Sequence, residues 1–424
     1  MAKTVDQLNV KGKKVLIRVD FNVPQDAGGN ITDDRRIRAA LPTIKSVLDR
    51  GGRAILMSHL GRPEGKPEDA KKLSLAPIAR RLSELLGQPV PLAAGCGCCT
   101  GPDVKKAVDT LKDGQAILLE NLRLCGSEVE TTKKDKKTGE MKTAKVWTSF
   151  EEQGSAELSK GLAALGDLYV NDAFGTAHRN HSSMVGVPEI LGKDKVAAGF
   201  LLTKEIEYLS TKLAKPAKPF VCIMGGKKVS DKIKLISNLL AKVDTLLIGG
   251  AMSYTFMKAN GKNIGKSLLE ADKLDLARDI QAKAAAAKVR FELPVDFVCA
   301  RELKAGTETM VAEGEIPDGW EGFDIGPKTR AKYAEIIAAA KTVVWNGPMG
   351  VFEIPPFDAG TLAMAKALAD ATTQGAISII GGGDSASAIE QAGLEDKMTH
   401  ISTGGGASLE LLEGKKFRSL EVLG

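Results

Sequence analysis

The chain has 424 residues, more than one compact core usually holds, so its length predicts two domains. Hydrophobic residues make up 43% and charged residues 26%, a balance typical of globular proteins that excludes a wholly disordered chain. The net charge of +6 does not require a nucleic-acid partner, which would prefer a clustered basic face, and few residues are aromatic. The composition is compatible with a small, highly anionic ligand.

The N-terminal residues and the cysteines predict a cytoplasmic protein. Residues 1–5 contain no apolar segment typical of a signal peptide, and no apolar run is long enough to predict a membrane helix. Cys96, Cys98 and Cys99 lack the second pair or the histidines that a zinc site needs, and the other cysteines (Cys125, Cys222 and Cys299) stand alone. We therefore expect reduced thiols, no membrane association and a cytoplasmic location.

In chain order, short apolar runs alternate with helical segments. The first half predicts strands at Lys14–Phe21, Arg53–Leu60, Ala116–Leu122 and Asp167–Ala173. The second half predicts strands at Phe220–Met224, Thr245–Ile248, Phe297–Ala300, Thr342–Asn346, Ile377–Ile380 and His400–Thr403. Several of these runs show no polar alternation, which is typical of parallel strands buried on both faces. Helices are predicted between them, among them one from Ser74 toward Gly87, Ser230–Val243 and Ala271–Lys288.

This alternation predicts an α/β fold with two doubly wound, Rossmann-like parallel-sheet domains joined by a hinge helix. The boundary falls at a predicted helix, Leu201–Leu213, followed by a connector that contains two prolines. The expected parts are an N-terminal domain over 1–200, a hinge helix and connector over 201–219, and a C-terminal domain over 220–412. Residues 128–145 are rich in lysine and threonine without apolar periodicity, so we expect a solvated insertion there.

Basic and amide side chains follow all four predicted strands of the first half. In open α/β sheets, ligands bind beyond the carboxyl ends of the strands, so these residues should lie near one another. Arginine is suited to bidentate contact with phosphate and carboxylate oxygens. The sequence therefore predicts an anion-binding site formed by Arg18–Asn22, Ser58–Pro63, Glu120–Arg123 and Asn171–Arg179, with Arg35, Arg36 and Arg38 nearby.

Glycine-rich turns follow the predicted strands of the second half. Glycine lets backbone N–H groups approach a phosphate closely, and a helix N-terminus adds partial positive charge. Asp384 follows one glycine triplet, where a carboxylate could hold nucleotide-bound Mg²⁺. The turns together indicate a nucleotide site; they are Met224–Lys232, Ile248–Met252, Trp345–Glu353, Ile380–Ser385 and Ser402–Ser408.

Two other nucleotide motifs fit poorly. Gly261–Ser267 resembles a Walker A loop, but it is one residue short between its glycines and follows no convincing strand. The glycine pattern of a dinucleotide site, with an acidic residue about 20 positions further on, is absent from the sequence. An arginine-lined site in one domain and a glycine-lined nucleotide site in the other instead favour phosphoryl transfer, which requires positioning, charge neutralisation and exclusion of water. The alternatives are a catalytically idle binding protein and a dehydrogenase on a doubly wound fold.

Eight segments, in this order along the chain, resemble the phosphoglycerate kinase family: 18–24, 58–63, 120–123, 171–179, 225–232, 344–353, 381–385 and 402–408. The resemblance implies reversible phosphoryl transfer from 1,3-bisphosphoglycerate to ADP, giving 3-phosphoglycerate and ATP, in glycolysis or gluconeogenesis. It further implies Mg²⁺, in-line transfer with hinge bending, a monomer, small-molecule partners only, and a C-terminal tail, residues 413–424, that returns to the first domain.

The resemblance also assigns residues. Glycerate binding falls to Asp20, Asn22, Arg36, His59, Leu60, Gly61, Arg62, Arg123 and Arg179. Stabilisation of the transferred phosphoryl group falls to Arg36, Lys228, Gly382 and Gly405. Nucleotide binding falls to Lys228, Lys232, Gly249, Gly250, Gly322, Asn346, Pro348, Glu353, Gly382, Gly383, Asp384 and Ser385, with Asp384 the ligand of Mg²⁺. The family spacing selects Arg36 over Arg35 and Lys228 over Lys227. Because the phosphoryl acceptor is already an anionic carboxylate, no general base is needed.

Overall fold

The computed structural model of the protein describes residues 2–93, 99–134 and 140–424. The chain divides into two compact units. The first extends to Glu205 and includes Lys416–Gly424, whereas the second is Ile206–Lys415. Over the described ranges, no helix is both long and apolar enough to cross a membrane.

The first unit is built on a parallel sheet. Its strands and those of a separate hairpin are β1 (Lys14–Val19), β2 (Arg53–Met57), β3 (Leu92–Ala93), β4 (Ala116–Leu119), β5 (Gly126–Lys134), β6 (Met141–Ser149), β7 (Leu168–Asp172) and β8 (Val196–Ala198). In the described residues the sheet order is β3-β4-β2-β1-β7-β8, and each neighbouring pair is parallel. All carboxyl ends therefore lie along the same edge.

Helices cover this sheet. They are α1 (Arg35–Asp49), α2 (Asp69–Lys72), α3 (Ala76–Leu86), α4 (Pro102–Asp109), α5 (Ala156–Ala163), α6 (Val187–Leu191) and α7 (Phe200–Ile206). Helix α1 buries Ile37, Ile44 and Val47, which share one helical face, against the apolar side chains of β1. Because β1 is buried on both faces, its sequence is continuously apolar from Val15 to Ile17, as predicted for a parallel strand.

The second unit contains two sheets. Its strands are β9 (Phe220–Met224), β10 (Thr245–Ile248), β11 (Arg290–Glu292), β12 (Asp296–Ala300), β13 (Thr309–Glu313), β14 (Glu321–Ile325), β15 (Thr342–Asn346), β16 (Ile377–Gly381) and β17 (His400–Ile401). The parallel sheet has the order β11-β10-β9-β15-β16-β17, and a smaller antiparallel sheet has the order β13-β12-β14. The predicted strand Phe297–Ala300 is thus real, but its place in a parallel sheet is wrong. It is buried throughout like its parallel counterparts, so burial hid the difference.

The remaining helices are α8 (Lys212–Ala214), α9 (Ile233–Leu239), α10 (Met252–Ala259), α11 (Leu274–Ala286), α12 (Pro327–Ala338), α13 (Ala359–Thr373), α14 (Gly383–Gln391), α15 (Gly406–Leu412) and, in the first unit, α16 (Arg418–Glu421). A π-helical turn, Glu207–Thr211, links α7 to α8, so the predicted helix Leu201–Leu213 is one continuous helical segment. Two predicted helices are shorter than expected. The segment Ser230–Val243 is helical only from Ile233, and Ala271–Lys288 begins with a 3₁₀ turn.

The lysine-rich insertion forms regular structure. Within it, residues 128–134 and 141–145 belong to the antiparallel hairpin of β5 and β6. The prediction of solvation holds for Met141 and for Thr143–Lys145, which are exposed. A solvated β-ribbon needs no apolar face, so the sequence showed no periodicity although threonine favours strands.

The expectation of reduced thiols is wrong for Cys125, which forms a disulfide bond. Cys99, Cys222 and Cys299 are free and buried. Cys96 and Cys98 lie outside the described residues. A disulfide requires two Cβ atoms within about 4.5 Å of each other, a proximity that cysteine spacing in the sequence does not reveal.

Candidate active site

In the first unit, the chain leaves each of β1, β2, β4 and β7 at the same edge of the sheet, and the predicted anion-binding residues follow. Arg36 lies in the first turn of α1 and donates from Nη1 to Asp20 Oδ2 at 2.9 Å. Asp20 is nearly buried, whereas a third of the Arg36 side chain is exposed. The Asp20 carboxylate therefore orients the guanidinium through Nη1 and leaves its other N–H groups available to a ligand.

The loop after β2 is held by amide and guanidinium contacts from two neighbouring strand ends. Asn22 Oδ1 accepts a hydrogen bond from Gly61 N at 2.9 Å, and Arg123 Nη1 donates to Gly61 O at 3.0 Å. Asn121 accepts from Leu60 N and donates to Leu60 O, at 3.2 and 2.8 Å. These contacts bring together the predicted residues of three strand ends. Asn121 belongs to the predicted segment Glu120–Arg123, although the resemblance assigned it no role. Its two hydrogen bonds to Leu60 connect the ends of β2 and β4.

His59 lies behind these groups rather than at the surface. Its ring Nδ1 is 3.4 Å from Arg18 Nη2 and 3.9 Å from Asp20 Oδ1. Burial, reinforced by the positive charges of Arg18 and Arg123, lowers the pKa of His59 well below its usual value. The imidazole is therefore neutral at pH 7, so it can act as a hydrogen-bond partner but adds no positive charge.

Arg62 and Arg179 complete the predicted set, and both are exposed. Arg179 follows a 3₁₀ turn, Phe174–Thr176, and the C-terminal tail contacts the backbone just after that turn. Ser419 Oγ donates to Ala177 O at 2.5 Å, and Phe417 is buried. The tail thus supports the segment that carries Arg179.

Three buried groups lie beneath this site: Arg18, which belongs to the predicted segment Arg18–Asn22, and His181 and Glu151, which were not predicted. Arg18 is fully buried, donates from Nε to Ser183 Oγ at 2.8 Å, and lies 3.9 Å from Glu151 Oε1. His181 lies 3.8 Å from the same carboxylate oxygen. His181 lies two residues after the predicted segment Asn171–Arg179, so its position in the sequence was a usable signal. Glu151 follows the insertion, and nothing in its local sequence indicates its position.

In the second unit, the candidate site is formed mainly by backbone groups, whereas side chains form the site of the first unit. The turns after β9, β10 and β15 pack directly on one another: Gly226 N donates to Pro348 O, and Gly250 N donates to Met349 O, both at 2.9 Å. A Cβ atom at Gly347 would lie 2.4 Å from Gly225 O, and one at Gly250 would lie 2.5 Å from Gly226 N. Only glycine permits this approach, which brings Gly249, Gly250 and Pro348 together as predicted.

Lysine and amide side chains link these turns to the end of β16. Lys232 Nζ donates to Asn346 Oδ1, and Asn346 Nδ2 donates to Gly381 O at 2.8 Å. Ser385 Oγ accepts from Gly347 N at 2.7 Å. Burial lowers the pKa of Lys232, and the negative charges of Asp231 and Asp384 oppose that shift. A ligand with carboxylate or phosphate groups would supply the negative charge that stabilises the ammonium form of this buried lysine.

The predicted phosphate-binding turns have open space around them. Gly382, with φ +93°, caps α14, and Asp384 lies exposed in its first turn. A Cβ atom added at Gly383 or Gly405 would meet nothing within 4 Å. Gly383 and Gly405 therefore leave the backbone open to solvent, whereas a Cβ atom at Gly382 would lie 3.0 Å from Asn346 Nδ2. Lys228 is exposed as well, and so is Lys227, so exposure does not distinguish the two lysines.

Two predicted nucleotide residues lie apart from these turns. Gly322 belongs to β14 of the antiparallel sheet, where a Cβ atom would lie 2.5 Å from the Tyr254 hydroxyl of α10. Glu353 is exposed after the turn that follows β15. The glycine at position 322 thus makes room for α10, the helix that starts beyond Gly250.

The residues present fit a magnesium ion carried by a nucleotide. Within the described ranges, no cluster of three or more histidine, cysteine, aspartate or glutamate side chains could hold a metal. Mg²⁺ commonly takes one or two carboxylates and completes its shell with phosphate oxygens and water. Asp384, exposed beside open glycine backbone, meets that requirement as a single protein ligand.

Comparisons with known proteins agree with this geometry. A family model for phosphoglycerate kinase matches residues 5–415. The phosphoglycerate kinases of Anaeromyxobacter dehalogenans (strain 2CP-1 / ATCC BAA-258) and Rhodopirellula baltica are 53% and 50% identical to this chain, with 99% of it and 98% of each relative aligned.

Solved structures give the same result. The phosphoglycerate kinase from Coxiella burnetii is 42% identical with a TM-score of 0.84, covering 100% of this chain and 99% of that one. The enzyme from Pyrococcus horikoshii OT3 is 32% identical with a TM-score of 0.80, covering 100% and 98%. With sequence, fold and the order of motifs in agreement over the whole length, this chain belongs to the phosphoglycerate kinase family.

Proposed function

We propose residue roles for the reaction of this family. The reaction itself, reversible phosphoryl transfer between 1,3-bisphosphoglycerate and ADP to give 3-phosphoglycerate and ATP, is the glycolytic activity of this chain, a phosphotransferase with a carboxyl acceptor. ATP and ADP are its nucleotide substrates. The dehydrogenase alternative is wrong, because family membership excludes it.

In the first unit, the residues at the strand ends bind the glycerate substrate. Arg62, Arg123 and Arg179 neutralise its phosphate and carboxylate, and Asn22 and Leu60–Gly61 fix the loop that carries Arg62. The observation that carries this assignment is the Arg36–Asp20 contact, which orients a guanidinium at the same sheet edge. Arg35 instead pairs with Asp33, a contact that favours Arg36 as the residue facing the substrate.

In the second unit, the glycine-rich turns bind the nucleotide. Gly249, Gly250, Gly322, Pro348 and Glu353 form the adenosine end. The phosphate end is formed by Lys228, Lys232, Asn346, Gly382, Gly383, Asp384, Ser385 and Gly405. Asp384 would hold Mg²⁺, which when bound supplies positive charge to the phosphate oxygens.

The chemistry requires charge stabilisation rather than proton transfer. The carboxylate of 3-phosphoglycerate is already an anion, so it attacks without a general base. Arg36, Lys228 and the backbone amides at Gly382 and Gly405 are proposed to stabilise the charge on the phosphoryl group in flight. The neutral His59 would donate or accept a hydrogen bond to the substrate or to Asp20.

Three further properties form part of the proposal. The resemblance implies a monomer, a cytoplasmic location and hinge bending as the movement that allows in-line transfer. The partners are then the small-molecule substrates alone, with no nucleic acid and no membrane. Sedimentation with and without both substrates would test the monomer.

The test of the residue roles is a coupled assay. Purified protein receives 3-phosphoglycerate and MgATP, and the 1,3-bisphosphoglycerate formed is followed as NADH consumption by added glyceraldehyde-3-phosphate dehydrogenase. Arg36→Ala is compared with Arg38→Ala, a matched control whose exposed guanidinium pairs with Asp34 at 2.8 Å. Loss in the first variant alone supports the assignment. Equal activity in both would refute the role of Arg36, and no turnover in folded wild type would favour the binding-protein alternative.

A further inference from the structure

The hairpin of β5 and β6 has no role in the reaction described above, yet one of its side chains reaches the loop that carries Arg62. Trp147, on β6, is partly buried, whereas its neighbour Val146 is 41% exposed. Successive side chains on a strand point to opposite faces. Trp147 therefore covers the protein side of the ribbon.

The indole ring is wedged between two glycines. A Cβ atom at Gly65 would lie 2.3 Å from Trp147 Cδ1, and one at Gly126 would lie 2.7 Å from Trp147 Cζ2. Real Cβ atoms do not approach other atoms this closely, so glycine at both positions is what lets the ring fit. Gly65 also has φ +80°, which an ordinary side chain would disfavour.

The loop under the ring is tied at both ends. Gly61, at its start, accepts from Arg123 and donates to Asn22. Near its end, Glu64 N and Lys66 N donate to Asp69 Oδ2 at 2.8 and 2.9 Å. Arg62 lies between these anchors, and Trp147 packs on the backbone at Gly65 between the same two amides.

The segment after Trp147 contacts the site again. Glu152 Oε1 lies 3.5 Å from Arg123 Nη2, and Glu151 accepts from Ser183 N at 2.9 Å beside Arg18. Residues 147–152 thus contact the Arg62 loop, Arg123 and the buried Arg18. The segment at the end of the hairpin, residues 147–152, is therefore part of the packing that supports the candidate site.

We propose that Trp147 is a positioning residue for the glycerate substrate: by packing on Gly65 it fixes the backbone of the loop that presents Arg62. The inference rests on the proposed role of Arg62 and extends it to a side chain from the insertion. Trp147 itself need not touch the substrate. A loop displaced by about 1 Å can lose an order of magnitude or more in function.

The kinetic test compares Trp147→Ala, Trp147→Phe and Val146→Ala, the last a control on the opposite face of the same strand. Trp147→Ala should raise KM for 3-phosphoglycerate about tenfold and leave KM for MgATP within about twofold. Phenylalanine should restore most of the affinity, because it refills the space between the glycines. Val146→Ala should match the wild type.

A spectroscopic test reads the same contact directly. The other two tryptophans, Trp320 and Trp345, lie in the second unit. Adding 3-phosphoglycerate without nucleotide should therefore change the intrinsic fluorescence of the wild type, and the change should disappear in Trp147→Phe. Retention of the full change in that variant would contradict the proposal.

The variant Arg62→Ala separates this proposal from the one on which it rests. A large rise in KM for 3-phosphoglycerate in Arg62→Ala with no rise in Trp147→Ala would overturn the role of Trp147 alone. No rise in Arg62→Ala would overturn the role of Arg62 and this inference with it. An equal rise in both KM values for Trp147→Ala, with a lowered Tm, would show that Trp147 serves general stability only.

Discussion

The two units provide for an anionic ligand in different ways. The first unit uses side chains: a guanidinium oriented by Asp20, a neutral buried His59, and Arg18 with no exposed surface. The second unit uses backbone: glycine turns that pack within hydrogen-bonding distance of one another and leave open space in front of α14. The carboxyl edge of a parallel sheet thus supports a different kind of site in each unit.

The comparison shows that the two sites should respond differently to substitution. Charged side chains held beside a buried carboxylate are proposed to act on the ligand, so their loss should reduce activity more than stability. Glycines in close backbone contact hold the site together, so their loss should reduce stability first. Substitutions in each unit should therefore show whether activity or stability is reduced more.

Arg36→Ala is expected to reduce turnover on the order of 10³-fold, because it removes the guanidinium proposed to stabilise charge on the transferred phosphoryl group. Thermal stability should change little, since a third of the side chain is exposed. Steady-state assays and thermal unfolding of the same samples check both expectations. Turnover within about threefold of the wild type would refute the assignment.

Gly347→Ala is expected to destabilise the second unit by about 3 kcal/mol, because the new Cβ would meet Gly225 O at 2.4 Å and the residue has φ +91°. The matched control is Gly375→Ala, which has φ +93° but open space around the added Cβ, and should lose about 1 kcal/mol. Calorimetric unfolding compares the two. Equal losses would mean that backbone conformation alone, not close packing of the turns, requires glycine.

Asp384→Asn is expected to weaken MgATP binding about tenfold, because a neutral amide is a poorer ligand for Mg²⁺ than a carboxylate. Binding of 3-phosphoglycerate should stay within about twofold. Titration calorimetry with each substrate measures both affinities, and Asp370→Asn, an exposed carboxylate on α13, serves as the control. Equal losses for both substrates would argue against a magnesium role.

The smallest effect concerns His181. Burial, with the nearby charges of Arg123 and Arg18, lowers the pKa of His181 to about 3 from its usual 6.5. The unfolded chain therefore takes up a proton as pH falls below about 6.5, while the folded chain does not until about pH 3, so stability falls across this window.

Replacing His181 with asparagine should remove this contribution. The Tm of the wild type should fall about 3 °C more than that of His181→Asn between pH 6.5 and pH 5. Calorimetric scans at several pH values provide the measurement. Other titrating groups are common to both proteins and largely cancel in the difference. Parallel Tm curves would contradict a buried neutral imidazole.

Much of the fold was predictable because parallel strands are buried on both faces and therefore read as continuous apolar runs. The bounds of β9, β10 and β15 match their predictions. In the first unit, the predicted strand Lys14–Phe21 extends two residues too far. The apolar Phe21 suggested a longer strand, but the backbone leaves the sheet at Asp20, where the candidate site begins.

The site was predictable only where residue type reveals chemistry. Arginines and glycines after strands indicated anion binding, and the structure brings Arg36, Asn22, Gly61 and Arg123 together in the first unit. Glu151 was not predictable, since a glutamate after a solvated hairpin looks like a surface residue. Its burial depends on Arg18 and Ser183, which lie more than 30 residues away in sequence.

The sequence by itself determined the alternation of strands and helices, the family, and the chemical types at each strand end, because these depend on local composition and order. The tertiary structure decided which strands pair antiparallel, that Cys125 is bonded, and that Trp147 packs on Gly65. Those outcomes require distant segments to approach within a few ångströms. Such contacts are set by packing of the whole chain and leave no local pattern from which to predict them.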